Sequence, residues 1–529
     1  MKPAFGPEPL TPLAFLDRSA VVYADRRAVV DGDRTYTYEQ FRDRCMRLSG
    51  ALVGAGVDGG DRVSVLAPNT HVALEAHFGV PGAGAVLNAL NTRLSVHELS
   101  SIVGHAGSKI LICDAGFVEA GRAIAQAVGG QVRVVCAGDG SEYEQLLDGA
   151  SPERVPVADE WDLISLNYTS GTTGRPKGVM YAHRGAYLQA LAMAAQAGLD
   201  TATVFLWTLP MFHCNGWCYP WAVTAVGGTH VGLRDVRPDA IWSAIRERGV
   251  THFNAAPTVL TMLADHPDAS PCATPVRVAT GGAPPSPALL ARLAELRIDV
   301  THLYGLTETY GPAVICDWRP EWDAFDANRR AVIKARQGVA NLCSMPLRVV
   351  DENGNDVPAD GETRGEVVLR GNNVMVGYYR DPEATEAATV AGPGGSWFRT
   401  GDIGVVHPDH YLELRDRAKD VIISGGENIA SIEVEQAIDS HPGVLESAIV
   451  AAPDPRWGEV PVAFVTLRAG ASVTEAEIIE HVKSRIARYK APKRVVFGDL
   501  PKTSTGKIQK FRLRDSLRDS LDDSLLSAT

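Results

Sequence analysis

The stretch YTSGTTGRPKG, residues 168–178, decides which fold to expect, and it comes shortly after the apolar run Leu163 to Leu166. Its glycines allow backbone N–H groups to turn toward one point, while hydroxyl groups and a lysine add donors and a positive charge. Such a loop after a strand predicts a polyphosphate site; the alternative is a flexible surface turn. It is not a Walker A loop, because the required Gly-Lys-Ser/Thr sequence is missing. The candidate phosphate ligands are Thr169, Ser170, Gly171, Thr172, Thr173, Gly174 and Lys177.

The size and composition of the chain limit the classes of protein to consider. A chain of 529 residues is too long for one hydrophobic core and predicts at least two domains. The net charge of -12 argues against nucleic acid as a partner, since phosphodiester binding needs an excess of Lys and Arg. The pair Cys214 and Cys218 lacks the further ligands of a structural zinc site, so we expect reduced thiols.

The sequence shows no feature of export or membrane insertion. The start, MKPAFGPEPL, lacks a basic region followed by an apolar stretch, and no apolar run is long enough to cross a bilayer. The end, SLLSAT, is not a peroxisomal or retention signal. We therefore expect a cytoplasmic protein without an integral membrane segment.

The pattern of hydrophobic residues predicts an α/β fold with two domains. Up to about Gly404, short β-branched runs such as RVSVLAP (62–68) alternate with amphipathic stretches, which indicates βαβ units. After Leu342, period-two alternation around Asn353-Gly354 predicts a β-hairpin region. We predict a large domain over residues 1–416, with βαβ-built sheets and a β-rich subdomain, and a small mobile α+β domain over 417–529.

A stretch further along the chain carries residues suited to a nucleotide. THLYGLTETYGP (301–312) places Tyr304, Gly305, Thr307 and Glu308 just after the strand-like IDVTH, where ligands of open α/β sheets bind. Tyr304 suits an adenine and Glu308 a Mg²⁺ ion; the alternatives are a core tyrosine and a solvated glutamate. The stretch GAGVDG (54–59) follows a helix-like segment, so we interpret it as a helix end rather than a dinucleotide site.

Two stretches near the predicted domain junction supply charged candidates. Asp402 in WFRTGDIG is able to accept hydrogen bonds from ribose hydroxyls, and Arg417 in RDRAKDVIISGGENI is suited to phosphate or ribose. Lys507 lies in the second Gly/Ser/Thr-rich loop, PKTSTGKIQK (501–510). It is either an exposed loop lysine or a lysine that a mobile lid carries into a site.

These stretches together resemble the superfamily of AMP-forming acyl-CoA synthetases, nonribosomal-peptide adenylation domains and luciferases. The resemblance rests on YTSGTTGRPKG, YGLTET, FRTGD, RDRAKDVIISGGENI and PKTSTGKIQK, which occur in the family's order across nearly the whole chain. It implies ATP, Mg²⁺ and coenzyme A as cofactors and a small carboxylic acid as substrate. Members of this family are often dimers, and the sequence leaves the oligomeric state open.

The resemblance also implies a role for individual residues. Thr307 would face the α-phosphate, Glu308 the Mg²⁺ ion and Asp402 the ribose, with Arg417 assisting. Lys507 matches the adenylation lysine, and Lys419 falls at the hinge of the small domain. The adenine would be held by residues 281–284 and by the strand that follows. The residues assigned to the adenine are Gly281, Gly282, Ala283, Pro284, His302, Leu303 and Tyr304, and Gly305 is a further residue of the ATP site.

The acyl pocket and the CoA tunnel follow from the same resemblance. In relatives the residue matching His213 gates the carboxylate, and the loop matching Gly425, Gly426 and Glu427 lines the pantetheine tunnel. MFHCNGW together with ARQG is similar to a branch acting on short- to medium-chain or arylpropenoic acids, and Trp217 would shorten the pocket unless it is a core residue. The expected pocket residues are His213, Asn215, Trp217, Gly281, Tyr310, Gly311, Gln337 and Gly338.

The predicted function is therefore an ATP-dependent carboxylic acid–CoA ligase that forms AMP and pyrophosphate. Cations such as Lys507 and Mg²⁺ suit this chemistry, since a carboxylate attacking an α-phosphate brings two anions together. One alternative is an enzyme of the same fold that uses a nucleophile other than CoA, or activates nitrite toward an aryl amine. The other is a non-catalytic nucleotide-binding protein.

Overall fold

The computed structural model describes residues 6, 8–138, 140–169, 176–282, 285–417, 420–424, 427–454, 456–503 and 508–517, without the side chains of Arg417 and Asn428. Within these ranges no helix is long and apolar enough to span a membrane. Helices are numbered in chain order. They are α1 (Leu13–Val22), α2 (Tyr38–Gly54), α3 (His71–Gly82), α4 (Val96–Ala106), α5 (Val118–Ala127), α6 (Glu142–Gly149), α7 (His183–Ala197), α8 (Cys214–Trp217), α9 (Tyr219–Ala225), α10 (Pro238–Arg248), α11 (Pro257–Ala264), α12 (Pro287–Glu295), α13 (Ala327–Lys334), α14 (Pro382–Ala387), α15 (Ser431–Asp439) and α16 (Glu475–Lys483).

The strands are numbered in the same way, and residues 510–517 form a further helical segment. The strands are β1 (Arg27–Asp31), β2 (Arg34–Thr37), β3 (Arg62–Leu66), β4 (Val86–Ala89), β5 (Ser108–Asp114), β6 (Arg133–Ala137), β7 (Leu163–Thr169), β8 (Lys177–Ala182), β9 (Val204–Leu206), β10 (Thr229–Val231), β11 (His252–Ala255), β12 (Val276–Thr280), β13 (Ile298–Leu306), β14 (Gly311–Ile315), β15 (Val339–Ala340), β16 (Arg348–Val350), β17 (Gly365–Leu369), β18 (Gly377–Tyr378), β19 (Thr389–Gly392), β20 (Gly395–Val406), β21 (Leu412–Arg417), β22 (Ile422–Ser424), β23 (Glu427–Ile429), β24 (Val444–Asp454), β25 (Gly458–Leu467) and β26 (Arg494–Phe497).

Two large sheets form the first part of the chain. Over the described residues one has the order β15-β14-β13-β12-β11-β9-β10-β1-β2, and the other has the order β18-β8-β7-β4-β3-β5-β6. Their central strands are parallel, since β11, β12 and β13 pair in parallel, as do β4, β3 and β5. Helices connect them, so the predicted α/β fold with βαβ-built sheets is confirmed.

Helix α3 lies at the centre of this layered arrangement. All of its residues are buried, as expected for a helix that packs on every side. The buried residues of α3 include the acidic Glu75, whose carboxylate accepts hydrogen bonds from Arg44 Nε at 2.5 Å and from the Tyr143 hydroxyl at 2.6 Å. A buried carboxylate is tolerated because both partners satisfy it, and the contacts tie α2 and α6 to α3.

The β-rich region after Leu342 forms the third sheet, with the order β16-β17-β20-β19 and β21 paired with β20. The predicted Asn353-Gly354 turn is present: the Gly354 N–H donates to the Asp351 carbonyl at 3.0 Å, and Gly354 has a φ of +80°. The return from the turn is only a bridge between Val350 and Asp356, and β16 pairs with β17 instead. The predicted hairpin is thus wider than its turn suggests.

The last part of the chain forms a smaller α+β unit. The described strands have the order β23-β22-β25-β24 with β26 beside β25, and their core includes Ile422, Val434 and Ile478. Helix α16 begins with the predicted capping box, in which Thr474 and Glu477 cap each other's backbone. The presence of a small C-terminal unit is confirmed, whereas its exact boundary at residue 417 stays a prediction.

Two local predictions have different outcomes. GAGVDG follows α2 directly and precedes β3, so its interpretation as a helix end is confirmed. Tyr304 and Gly305 were expected after a strand, which is wrong: β13 continues to Leu306, with Thr307–Thr309 as a short 3₁₀ turn. The strand is extended because residues 298–302 pair with β12 in parallel, and residues 303–306 then pair with β14 antiparallel.

We predict that Gly305→Ala destabilises this strand pair. An added Cβ at Gly305 would overlap the carbonyl oxygen of Gly311, so the backbones of β13 and β14 would have to separate, at a cost of about 1–3 kcal/mol. Thermal unfolding of the purified variant measures the loss. Gly54→Ala is the control, because the end of α2 has open space for a methyl group and should be unchanged or more stable. Equal midpoints for Gly305→Ala and the parent would contradict the close approach.

Candidate active site

The carboxyl end of β13 brings several candidate nucleotide ligands together. The Tyr304 hydroxyl donates to Asp402 Oδ2 at 2.6 Å, and both side chains are buried. Asp402 lies on β20 directly opposite Arg417 on β21, so the two candidates for the ribose share one pair of strands. The strand pairing thus brings positions 304, 402 and 417 to one edge, and their contact with a nucleotide stays a prediction.

The turn after β13 places two more candidates beside the phosphate loop. The Tyr378 hydroxyl donates to Glu308 Oε1 at 2.7 Å, and the Tyr181 hydroxyl donates to the Thr307 carbonyl at 2.5 Å. The Lys177 ammonium lies 4.8 Å from the centre of the Tyr378 ring. Tyr378 therefore contacts both a residue of the phosphate loop and the candidate magnesium ligand.

The described ends of the phosphate loop are held by sheet pairing. Thr169 ends β7 and Lys177 begins β8, and the two residues lie opposite each other in an antiparallel pair. The loop thus connects the strands of a hairpin, and its ends are fixed to a sheet whose interior is buried. Gly178 contacts the Tyr168 ring, where a Cβ would lie 3.1 Å from the nearest ring atom.

The segment MFHCNGW forms an unusual left-handed turn. The five consecutive residues 214–218 have positive φ angles between 43° and 66°, a conformation that L-residues other than glycine rarely adopt. The turn places Cys214 Sγ 3.4 Å from the Thr307 hydroxyl and 3.7 Å from His213 Nε2. Backbone strain of this kind clusters at functional sites, which agrees with the predicted role of this segment in the acyl pocket.

The indole of Trp217 lies between two glycines at the ends of β12 and β14, the strands on either side of β13. A Cβ on Gly281, just after β12, would lie 3.3 Å from the indole, and one on Gly311 at the start of β14 would lie 2.8 Å from it. Only 7% of Trp217 is exposed. The ring therefore fills the space between these strand ends, so both interpretations made from the sequence, a pocket wall and a core residue, agree with its position.

Other predicted pocket residues are engaged in the framework of the protein. The buried Asn215 side chain accepts at its Oδ1 from Ser165 Oγ at 2.6 Å, and the Gln337 side chain accepts the Leu414 N–H at 2.7 Å. The Tyr310 hydroxyl accepts the Ala182 N–H at 2.6 Å, and its ring stacks on Tyr181 at 3.8 Å. Their side chains position the surrounding strands, and their contact with a substrate stays a prediction.

The buried His302 ring holds the segment ARQG against β13. Its Nδ1 lies 2.9 Å from the carbonyl oxygens of both Ala335 and Arg336, so the neutral ring donates its Nδ1–H to them. Burial lowers the pKa of His302 to about 4, because charging the ring costs solvation that the carbonyls only partly restore. The adjacent Gly338, with a φ of +103°, lies too close to the Ile315 carbonyl for a side chain.

The remaining predicted residues differ in what the structure describes. Leu303 is buried in β13, Gly282 follows β12 with a φ of +90°, and Glu427 is exposed in β23. Several others lie outside the described residues, and their roles stay predictions. These are Ser170, Gly171, Thr172, Thr173, Gly174, Ala283, Pro284, Lys419, Gly425, Gly426 and Lys507.

The sequence analysis did not predict the side chains that contact Thr307 and Glu308, the candidate phosphate and Mg²⁺ ligands. Tyr378, Tyr181 and Cys214 contact Glu308 or Thr307, yet no motif surrounds Tyr378 or Tyr181. The position of Tyr181 four residues after Lys177 in a strand was the available signal. Tyr378 reaches Glu308 through tertiary structure alone.

We predict that His302→Gln reduces the loss of stability on acidification. The folded pKa of His302 is below the unfolded value, so between pH 7 and pH 5 the unfolded chain takes up a proton that the folded chain does not. Stability falls as the pH falls through this window, by about 1–2 kcal/mol for this residue. Urea unfolding at pH 7 and pH 5 measures it. A variant with the parent's full pH dependence would contradict the assignment of a neutral buried ring.

Comparison with known protein families finds two matches along the chain. The profile described as AMP-binding enzyme matches residues 16–379, and the profile described as AMP-binding enzyme C-terminal domain matches residues 433–507. The chain belongs to the AMP-binding enzyme family. The first stretch spans the phosphate loop and β13 and the second ends at Lys507, whereas Asp402, Arg417 and Lys419 lie between the two.

Similar proteins within this family are plant CoA ligases. The chain is 46% identical to a 2-methylpropanoate–CoA ligase of Humulus lupulus, over 96% of this chain and 95% of that one. It is 44% identical to a peroxisomal acetate/butyrate–CoA ligase of Arabidopsis thaliana (96% and 95%) and 42% identical to a peroxisomal trans-cinnamate:CoA ligase of Petunia hybrida (96% and 94%).

A solved structure extends the likeness to the fold. ATP-bound MatB from Rhodopseudomonas palustris superimposes with a TM-score of 0.85 at 28% identity, covering 96% of this chain and 99% of that chain. The predictions of the family and of the fold class are therefore confirmed.

Proposed function

We propose that the protein is an ATP-dependent acid–CoA ligase that activates a short-chain aliphatic carboxylic acid as an acyl-adenylate and transfers it to coenzyme A. The main support for this proposal is that the candidate nucleotide ligands meet at the end of β13, where Tyr304 contacts Asp402 and Tyr378 contacts Glu308. The predicted reaction class agrees with the names of the relatives, and the family implies the use of ATP and coenzyme A.

The site residues divide the work between the two ends of the nucleotide. Tyr304 and Asp402 form a buried, hydrogen-bonded pair suited to the adenosine, because the Asp402 carboxylate is able to accept hydrogen bonds from two neighbouring ribose hydroxyls. Lys177 lies beside the Tyr378 ring and Thr307 precedes Glu308, which Tyr378 holds, so both are assigned as donors to phosphate oxygens. Lys507 would bridge the substrate carboxylate and the α-phosphate, which lowers the repulsion between two anions.

Glu308 is the residue that would hold a Mg²⁺ ion. Its carboxylate offers the hard oxygen ligand that Mg²⁺ prefers, Tyr378 fixes its orientation at 2.7 Å, and the Thr307 hydroxyl belongs to the same turn. One carboxylate suffices, since Mg²⁺ commonly completes its shell with water and phosphate oxygens. When bound, the ion would neutralise charge on the phosphates.

The acid-binding side of the site is assigned to the space bounded by Trp217. The indole reaches the ends of β12 and β14 through Gly281 and Gly311, so a long acyl chain would have to displace it. Relatives named for two- to four-carbon acids support a short chain. An arylpropenoic acid is the second candidate, favoured by the trans-cinnamate relative.

The domain boundaries, the oligomeric state, the metabolic role and the cellular location are also part of the proposal. We assign residues 1–416 to the nucleotide-binding domain and 417–529 to a mobile domain with its hinge at Lys419, and we place the Gly425–Glu427 loop beside the pantetheine of CoA. A homodimer, a role in fatty acid metabolism and a cytoplasmic location complete it, although several relatives are named peroxisomal. Cell fractionation and sedimentation of the native protein test location and oligomeric state.

We predict that Lys507→Ala slows the first half-reaction by about 100-fold or more, because it removes the cation that offsets two negative charges in the transition state. The measurement is acid-dependent exchange of labelled pyrophosphate into ATP, followed by thioester formation when CoA is added. Lys483→Ala is the matched control, since this lysine pairs with Glu480 on the surface of α16.

Three results would contradict the proposed function. Exchange that does not depend on an acid would exclude the acid substrate, and consumption of an amine in place of CoA would favour the other acceptor. Tight ATP binding without any exchange would favour a non-catalytic nucleotide-binding protein. A parental rate in Lys507→Ala would overturn the role of this lysine.

We predict that Trp217→Leu shifts the preference toward longer acids. A smaller side chain opens space between Gly281 and Gly311, and each methylene that gains a place is worth about 10-fold or more in kcat/KM. The measurement is the ratio of kcat/KM for hexanoate to that for acetate, in a panel that includes 2-methylpropanoate and cinnamate. An unchanged ratio with unchanged KM values would assign Trp217 to the core alone.

A further inference from the structure

The junction between the third sheet and the C-terminal unit carries a chain of polar contacts that the proposed reaction does not use. Asp416 lies on β21 opposite Ile403 of β20, one residue from the candidate ribose ligand Asp402. Its carboxylate accepts the Ser431 N–H at 2.5 Å and the Ser431 hydroxyl at 3.0 Å. Because Ser431 is the first residue of α15, the carboxylate also lies at the positive end of that helix.

The same serine is bonded to the segment that follows Lys507. Lys510 Nζ donates to Ser431 Oγ at 2.5 Å and pairs with Glu435 Oε1 at 2.7 Å. Only 16% of the side chain is exposed for both Lys510 and Glu435, and Glu435 also accepts the Ile449 N–H at 2.7 Å. An ion pair so shielded from solvent, with its hydrogen bonds satisfied, holds its geometry better than a surface pair.

Further contacts fix the base of the loop that contains Lys507. Lys502 and Ile508, on the two sides of the loop, form an antiparallel bridge, and the Gln509 N–H donates to the Pro501 carbonyl at 2.8 Å. One helical turn after Lys510, Arg514 is paired with Asp420. Arg514 thus pairs with a carboxylate that directly follows Lys419, the predicted hinge, and Lys510 is connected through Ser431 to Asp416, which precedes it.

We infer that Lys510 is a positioning residue for the adenylation step: through Ser431 and Glu435 it connects the base of the Lys507 loop to Asp416 on the strand beside the ribose site. The inference rests on the proposed function and deepens it. Lys510 does not touch the reacting groups. It fixes the segment that follows Lys507 and thereby affects where the Lys507 ammonium lies. A displacement of about 1 Å of a reacting or catalytic group costs about 100-fold in rate.

The test separates the two half-reactions. Lys510→Met keeps the aliphatic chain and removes the charge, and Ser431→Ala removes the bridging hydroxyl while leaving the Lys510–Glu435 pair in place. We expect Lys510→Met to lower the rate of pyrophosphate exchange by about 10- to 100-fold at saturating ATP and acid, and Ser431→Ala to lower it several-fold. Thioester formation from supplied acyl-adenylate and CoA should stay within about twofold, since that step does not use Lys507.

Two controls keep folding defects apart from positioning. Lys483→Met makes the same chemical change on α16 and should leave both half-reactions unchanged. The double variant Glu435→Gln with Lys510→Met avoids a carboxylate left without its partner, and should fold with the parent's thermal midpoint yet exchange pyrophosphate as slowly as Lys510→Met. Parental exchange in Lys510→Met, or an equal fall of both half-reactions in the double variant, would overturn the inference. A parental rate in Ser431→Ala alone would overturn the route through the serine.

A measurement without turnover distinguishes this inference from the proposed function. Hydrogen–deuterium exchange of peptides covering residues 501–512 should increase in Lys510→Met and in Ser431→Ala, relative to Lys483→Met. This result is independent of any acid or of CoA. If the parent protein shows no acid-dependent exchange of pyrophosphate, the proposed function fails, and equal deuterium uptake in all variants would separately reject the connection between Asp416 and the loop.

Discussion

The candidate site depends on one close approach of two backbones. Strand β13 pairs in parallel with β12 up to His302 and then antiparallel with β14 from Leu303, and this is possible only where Gly305 meets the Gly311 carbonyl without a side chain. The extension carries Tyr304 to Asp402 and the following turn to Tyr378. A strand that stopped at His302 would leave these partners too far apart to meet.

Around this approach, the protein uses rigid and strained elements for different purposes. Tyr181, Tyr310 and Gln337 bond to backbone groups of neighbouring strands and turns, so the walls of the site belong to the core. The left-handed turn at 214–218 is the opposite case, since its conformation is unfavourable and has to be supported by its surroundings. Asn167 supplies part of that support, because its side chain accepts the Asn215 N–H at 3.0 Å.

Polar contacts at the junction of the larger and smaller units follow another logic. The described contacts of Asp416, Ser431 and Lys510 are shielded from solvent. Directional bonds between charged groups set position more strictly than apolar packing does, at a modest cost in stability. A loop that has to place one lysine accurately benefits from such a connection.

The sequence alone determined the α/β class, the small C-terminal unit and the family, and it indicated the stretches that we assign to the nucleotide. These depend on local properties: hydrophobic period, capping residues such as Thr474, and glycine-rich loops next to strands. Only the tertiary structure decided how far β13 extends, that Tyr378 holds Glu308, and that the Asn215 and Tyr310 side chains turn into the framework. The reason is physical: which partner satisfies a buried hydroxyl or amide is fixed by elements brought together across 50 to 128 residues of sequence, and the spacing of residues along the chain carries no record of that choice.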